Sequence, residues 1–258
     1  MLPLRDENPT SSIAIVTLIL IAINVVVFLM EPIVSSGRDP REQQARQVIY
    51  FACHAAMPYE VTHGERAGDA LRRDVRFGTP ADNAFAAIES RACPHKSVLL
   101  SVLSSMFLHA SLLHLAGNML FLWIFGNNVE DRLGKIRFVI FYLLCGLAAA
   151  LAQSFVFPGS TVPLIGASGA IAGILGAYLI MFPRARIFGL LFIFPIVLPA
   201  FVFIGFWFIS QLLSSVGSVT GNTSVAYAAH VGGFVAGMVL LLLLRPRRPE
   251  AIRTPYPY

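Results

Sequence analysis

Six apolar stretches, near residues 12–30, 98–129, 136–156, 164–182, 187–213 and 225–244, dictate what this chain can become. Each is long enough for a helix of roughly 20 residues, the length that crosses a bilayer's hydrocarbon core. Lipid offers no partner to an open backbone, so such stretches close their hydrogen bonds internally, as helices or in a barrel. No barrel-like alternation of apolar and polar residues is visible. Charged residues make up 13% of the chain, against about a quarter in a soluble domain. The expectation is an all-α membrane protein, a six-transmembrane-helix bundle with a long first extracytoplasmic loop.

The chain divides accordingly into a polar N-terminal tail (1–11), a first span (12–30), the loop (31–97), a core holding spans two to six (98–244) and a basic tail (245–258). In the second run the helix is expected at about 111–129, with 98–110 approaching it along the interface. The first run does not read as a signal peptide, because Asp6 and Glu7 oppose Arg5 and no small-x-small site follows Met30. Placing both termini in the cytoplasm puts Arg5, Arg132, Lys135, Arg137, Arg184, Arg186, Arg245, Arg247, Arg248 and Arg253 inside. The short outer loops 157–163 and 214–224 then carry no basic residue, as the positive-inside rule requires. The net charge of +5 becomes an inner-surface feature suited to anionic lipid headgroups, not to nucleic acid. No transit-like segment is seen at the N-terminus, which points to a bacterial inner membrane.

The 31–97 loop mixes apolar and polar positions at loosely helical spacing over 41–57 and 81–93, which suggests a small helical cap. Cys53 and Cys93 both fall in it, where oxidation is possible, and a disulfide is expected. Their neighbours His54 and His95 fit no common zinc spacing, so no metal is expected. Cys145, in the third span, reads as packing.

The candidate chemistry begins at Gly166-Ala167-Ser168-Gly169, where an apolar loop enters the fourth span. A serine at a helix N-terminus stands beside unpaired backbone N–H groups and the positive dipole end. Small residues recur along this span (Ser168, Ala172, Gly176; Gly169, Gly173) and along the sixth (Ala229, Gly233, Gly237). Such ridges let helices approach closely in lipid. Packed together, they bring Ser168 within reach of His230 at matching depth, a nucleophile beside a general base. His114 and Asn118, one turn apart on the second span, are candidate oxyanion donors with the Ser168 and Gly169 end of the fourth span. Each feature also has a plainer reading: glycines that only permit packing, a structural His230, interhelical bonds from His114 and Asn118. No Asp or Glu lies in the spans or short outer loops, so the site is a Ser–His dyad unless a first-loop acid dips inward. His109 lies off the His114 face and reads as structural or interfacial. Glu130 and Arg132 read as a surface ion-pair cluster ending a helix.

Together, His109-x4-His114-x3-Asn118, Glu130-x-Arg132-x-Gly134, Gly166-Ala167-Ser168-Gly169 and Ala229-His230-x2-Gly233-x3-Gly237 resemble the rhomboid family of intramembrane serine proteases. The resemblance covers roughly 98–244. It implies a six-helix bundle with a water-filled cavity opening to the outer face. It also implies hydrolysis of peptide bonds in or beside transmembrane segments of other membrane proteins, without a cofactor. Carried over, Ser168 is the nucleophile, His230 the base, and His114 and Asn118 the oxyanion donors. Gly166, Gly233, Gly237, His109, Glu130 and Arg132 become structural residues near the site. The fifth span, with Pro195, Pro199 and Trp207, becomes a lateral gate for substrate. Ala172 stands where some members carry a tyrosine that stacks on the histidine, which leaves the group orienting His230 open, with Tyr227 as a substitute. The first loop has no tryptophan, so the Trp-Arg signature of other members is absent. A catalytically inactive relative that binds membrane clients is the alternative, and it typically lacks the serine or the histidine, both present here.

Overall fold

Strand β1 (Leu2–Asp6) and helix α1 (Ile15–Met30) open the chain in the computed structural model, which describes residues 2–32, 39–191, 193–220 and 226–244. The basic tail 245–258 and residues 221–225 of the second short outer loop lie outside the described residues. Helix α1 buries Thr17, Leu20, Asn24 and Phe28, one stripe at helical spacing, and leaves its other faces apolar and exposed. That is the pattern of a helix whose outer surface meets lipid.

Four short helices fill the first loop: α2 (Pro40–His54), α3 (Pro58–His63), α4 (Ala67–Arg72) and α5 (Pro80–Ala92). Asp39-Pro40 and Thr79-Pro80 start α2 and α5, the acceptor capping a free N–H and the proline supplying a preset first turn. This cap has its own small core around Ala52, Met57, Tyr59, Ala67, Ala70, Phe77 and Ala86. Cys53 and Cys93 form a disulfide across it, with Cα atoms 5.2 Å apart.

The remainder runs α6 (Val98–Ser105), α7 (Leu112–Phe121), a π-helical turn (Leu122–Gly126), α8 (Asn127–Leu133), α9 (Lys135–Val156) and α10 (Ser168–Met181). The hairpin β2 (Arg186–Leu191) and β3 (Phe194–Pro199) follows, then α11 (Ala200–Thr220) and α12 (Tyr227–Leu244). Among the described residues, three helical stretches are long and apolar enough to cross a membrane: Leu112–Leu133, Lys135–Val156 and Tyr227–Leu244. Ile15–Met30, Ser168–Met181 and Ala200–Ser215 are shorter apolar helices.

Helix α10 is the hub. Every residue from Gly169 to Tyr178 is buried, with α9 and α12 packed on it. Small residues make this possible, since lipid supplies no hydrophobic drive and helices gain by close backbone approach. A methyl group on Gly233 would lie 2.1 Å from the Gly169 carbonyl oxygen, and one on Gly237 2.0 Å from that of Gly173. The α10 and α12 backbones therefore touch directly, and Cys145 of α9 fills the space beside Gly173.

Three expectations need correction here. The protein is mostly helical but not all-α: β1, β2 and β3 form an antiparallel sheet, with Leu2 opposite Leu190 and Arg186 opposite Pro199. The apolar run 187–213 is thus hairpin first and helix second, because Pro195 and Pro199 deny a helix its backbone donors. The N-terminal residues are not a loose tail either. Asp6 accepts hydrogen bonds from Tyr178 Oη (2.6 Å) and Asn128 Nδ2 (2.9 Å), joining the sheet to α10 and α8.

Candidate active site

Ser168 is the first residue of α10, so its N–H and that of Gly169 belong to a first turn with no partners inside the helix. The chain reaches it through Gly166, whose φ of +116° suits glycine. A methyl group on Gly166 would also sit 2.9 Å from His114 Nε2, so this glycine admits the histidine to the site.

His230 enters from α12, one turn into the helix. Its Nε2 lies 2.8 Å from Ser168 Oγ. Its Nδ1 lies 2.6 Å from Gln211 Oε1, on α11. An amide oxygen only accepts, so Nδ1 carries the proton and Nε2 is left to accept from the serine hydroxyl. Trp207 lies over His230 at 6.0 Å with its plane tilted by 37°, and Tyr227 stands edge-on at 6.4 Å. Neither stacks on the ring.

Ser111 caps α7 by accepting the His114 N–H at 3.2 Å, which sets the register of the following turn. His114 Nδ1 accepts the Ala110 N–H at 3.4 Å, which assigns the His114 ring proton to Nε2, on the Gly166 side. Asn118 Nδ2 is buried and makes no hydrogen bond. An unpaired buried donor is costly. Ser168, His230, His114 and Asn118 all line one cavity of about 520 Å³, with apolar walls from Phe121, Ile171 and Trp207.

The cap braces the segment that leads to Ser168. Asp82 accepts the N–H of Thr161 (2.7 Å) and the hydroxyl of Ser160 (3.0 Å), while Ala56 O accepts the Leu164 N–H (2.8 Å). Ser105 holds both sides, accepting the Ala56 N–H on its hydroxyl (2.8 Å) and the Gly166 N–H on its carbonyl (2.9 Å). The 157–167 segment that delivers Ser168 thus hangs between the cap and α6.

Other expected residues fall elsewhere. His109 is fully buried, its ring 5.1 Å from that of His114, and it lies outside the cavity lining. Glu31, at the start of the first loop, is buried and accepts the His109 N–H at 3.1 Å without contacting the dyad. Glu130 and Arg132 are neither a surface ion pair nor near the site. Glu130 is 2% exposed and accepts the N–H groups of Val16 (3.0 Å) and Thr17 (2.7 Å), capping α1. Arg132 lies over Phe182, at the end of α10 away from Ser168. A carboxylate answering two free N–H groups of another helix gains more there than an exposed pair would. Gln211 was not anticipated. The signal was present, since Ser210 and Gln211 are the only polar side chains in the run 187–213.

The profile of the Rhomboid domain matches residues 96–247, more than half of the chain. The chain belongs to the rhomboid family, and that domain sets it in a lipid bilayer. Among its relatives is the "Rhomboid protein 1, mitochondrial" of Saccharomyces cerevisiae, 35% identical over 145 residues (54% of this chain, 40% of that protein). The human "Presenilin-associated rhomboid-like protein, mitochondrial" is 34% identical over 150 residues (56% and 38%). The "Rhomboid protease GluP" of Bacillus subtilis is 35% identical over 140 residues (54% and 25%). In all three, the likeness spans 40% or less of the relative's length. These matches overturn the expectation of a bacterial inner membrane with cytoplasmic termini, because the first relatives are mitochondrial proteins. The bacterial setting rested on how the N-terminus begins, which carries no weight for a chain spanning so little of its relatives, and the cytoplasmic termini rested on the placement of basic residues.

Proposed function

We propose that the chain is a serine-type endopeptidase of the membrane interior, cleaving peptide bonds in or next to transmembrane segments of other proteins in a mitochondrial membrane. The observation that carries the reading is the 2.8 Å contact between His230 Nε2 and Ser168 Oγ inside a cavity that also holds an unpaired amide donor. In this reading the six apolar helices are six spans. Nothing in the site calls for a metal or cofactor.

The reaction follows from the donors and acceptors present. His230 Nε2 takes the hydroxyl proton as Ser168 Oγ forms a bond to the scissile carbonyl carbon. Negative charge moves to the carbonyl oxygen, within reach of Asn118 Nδ2, His114 Nε2–H and the first-turn N–H groups of α10. His230 returns the proton to the departing amine as the C–N bond breaks, leaving an acyl group on Ser168. Water, deprotonated by the same nitrogen, then releases the acyl group as a carboxylate.

The test is labelling of purified protein by a fluorophosphonate serine probe, beside cleavage of a transmembrane peptide substrate. The expected result is labelling and cleavage by the parent, both abolished in Ser168→Ala and in His230→Ala. Cleavage at the parent's rate by folded Ser168→Ala overturns the proposal.

A further inference from the structure

In a Ser–His pair the base must keep one ring nitrogen unprotonated and aimed at the hydroxyl. Imidazole has two tautomers, and a ring free to rotate also wastes orientations. Something has to hold the other nitrogen, and among the described residues no carboxylate does so: Glu31 is committed to the His109 N–H. Nor does a ring, since Trp207 is tilted and Tyr227 edge-on. What touches Nδ1 is Gln211 Oε1, at 2.6 Å.

The amide is itself fixed. Gln211 Nε2 donates to Ser210 Oγ at 3.3 Å, and Ser210 Oγ donates to the Trp207 carbonyl at 2.6 Å. With its nitrogen so engaged, the amide presents oxygen to His230. A glutamine does this without adding a charge to an apolar wall, where an unpaired carboxylate would be expensive. Gln211 is not among the residues that line the cavity, and its direct contact with the dyad is the His230 Nδ1.

We infer that Gln211 is a positioning residue for His230, its amide oxygen holding Nδ1–H so that Nε2 is free to take the Ser168 proton. The inference rests on the protease reading and deepens it. Four helices then supply the machinery, with the nucleophile on α10, the base on α12, the group that orients the base on α11 and the oxyanion donors His114 and Asn118 on α7.

Gln211→Leu removes the acceptor at similar volume, and Gln211→Glu retains one. Expected for Gln211→Leu is a kcat lower by about 10²-fold, the scale of lost orienting partners, with KM changed by less than about twofold and fluorophosphonate labelling of Ser168 slowed in parallel. Gln211→Glu should recover most of the rate. Parental kcat in Gln211→Leu, or a loss confined to KM, overturns the inference while Ser168-dependent cleavage by the parent keeps the protease reading intact. A parent that neither labels nor cleaves in a Ser168-dependent way brings down the protease reading, and the positioning role with it. Should Gln211→Leu fail to fold, 15N imidazole spectra of the parent decide: a protonated Nδ1 and bare Nε2 on His230 support the inference, and the opposite tautomer overturns it.

Discussion

Asp82 of the cap accepts the backbone N–H of Thr161 at 2.7 Å, and Thr161 Oγ1 donates to the Asp82 carbonyl at 2.6 Å. Thr161 is fully buried and lies on the segment that leads into Ser168. Asp82→Ala leaves that N–H without a partner, at a cost of about 1–3 kcal/mol. The midpoint of thermal unfolding should fall, and amide exchange over 160–168 should quicken. Unchanged exchange there would mean that the cap does not restrain the segment.

Asn118→Ala removes a donor that has no partner in the resting site. It should therefore cost little stability while lowering kcat by about 10²-fold or more, as loss of one oxyanion donor does elsewhere. Steady-state kinetics beside thermal unfolding separates the two effects. Intact turnover with lowered stability would make Asn118 a packing residue.

Gly237→Ala drives a methyl group into the Gly173 carbonyl, 2.0 Å away. The α10 and α12 backbones must part, at a cost of about 1–3 kcal/mol or more. Because Ser168 and His230 ride on those two helices, labelling of Ser168 should fall more steeply than stability. Gly205→Ala is the contrast, since open space surrounds that position and helix propensity favours alanine by up to about 1 kcal/mol. Equal behaviour of the two variants in detergent would show that the α10–α12 seam is slack.

Burial, and then the charge of Glu60, push the acid of Glu89 up from 4.5 to about 7, against the pull of the Gly68 N–H and Lys96. Glu60 itself is paired with Lys96 at 2.7 Å, both buried. Between those two values the folded cap holds a proton that the unfolded chain has released. This contribution is complete below about pH 4.5 and is lost as pH rises through 7. Thermal midpoints of the parent should decline from pH 5 to pH 8, and those of Glu89→Gln should decline less. Parallel slopes would remove Glu89 as the source.

Much of the site was legible because polarity is conspicuous in an apolar chain. His114, Asn118, Ser168 and His230 stand out against their runs, and the glycine ridges say which helices meet. What stayed hidden depends on contacts between distant segments. Glu130 looks like a surface charge until Thr17 is placed beside it, 113 residues earlier. Hydropathy reads 187–213 as one span, although its first part is a hairpin that pairs with the N-terminal strand. Gln211 was visible as a polar intruder, but its partner could be named only once α11 and α12 were packed. The cellular setting was misread, because the start of a sequence is a poor witness to where a protein resides.

The strand partnership between Leu2 and Leu190 has a consequence for how the molecule is made. Chain elongation delivers β1 well before α10, and β2 only after α10 has been completed. Until then the edge of β1 stays open and Asp6 waits for Tyr178. The residues of β1 are made before α10 and seated only after it, and they latch the helix that carries Ser168 from its far end.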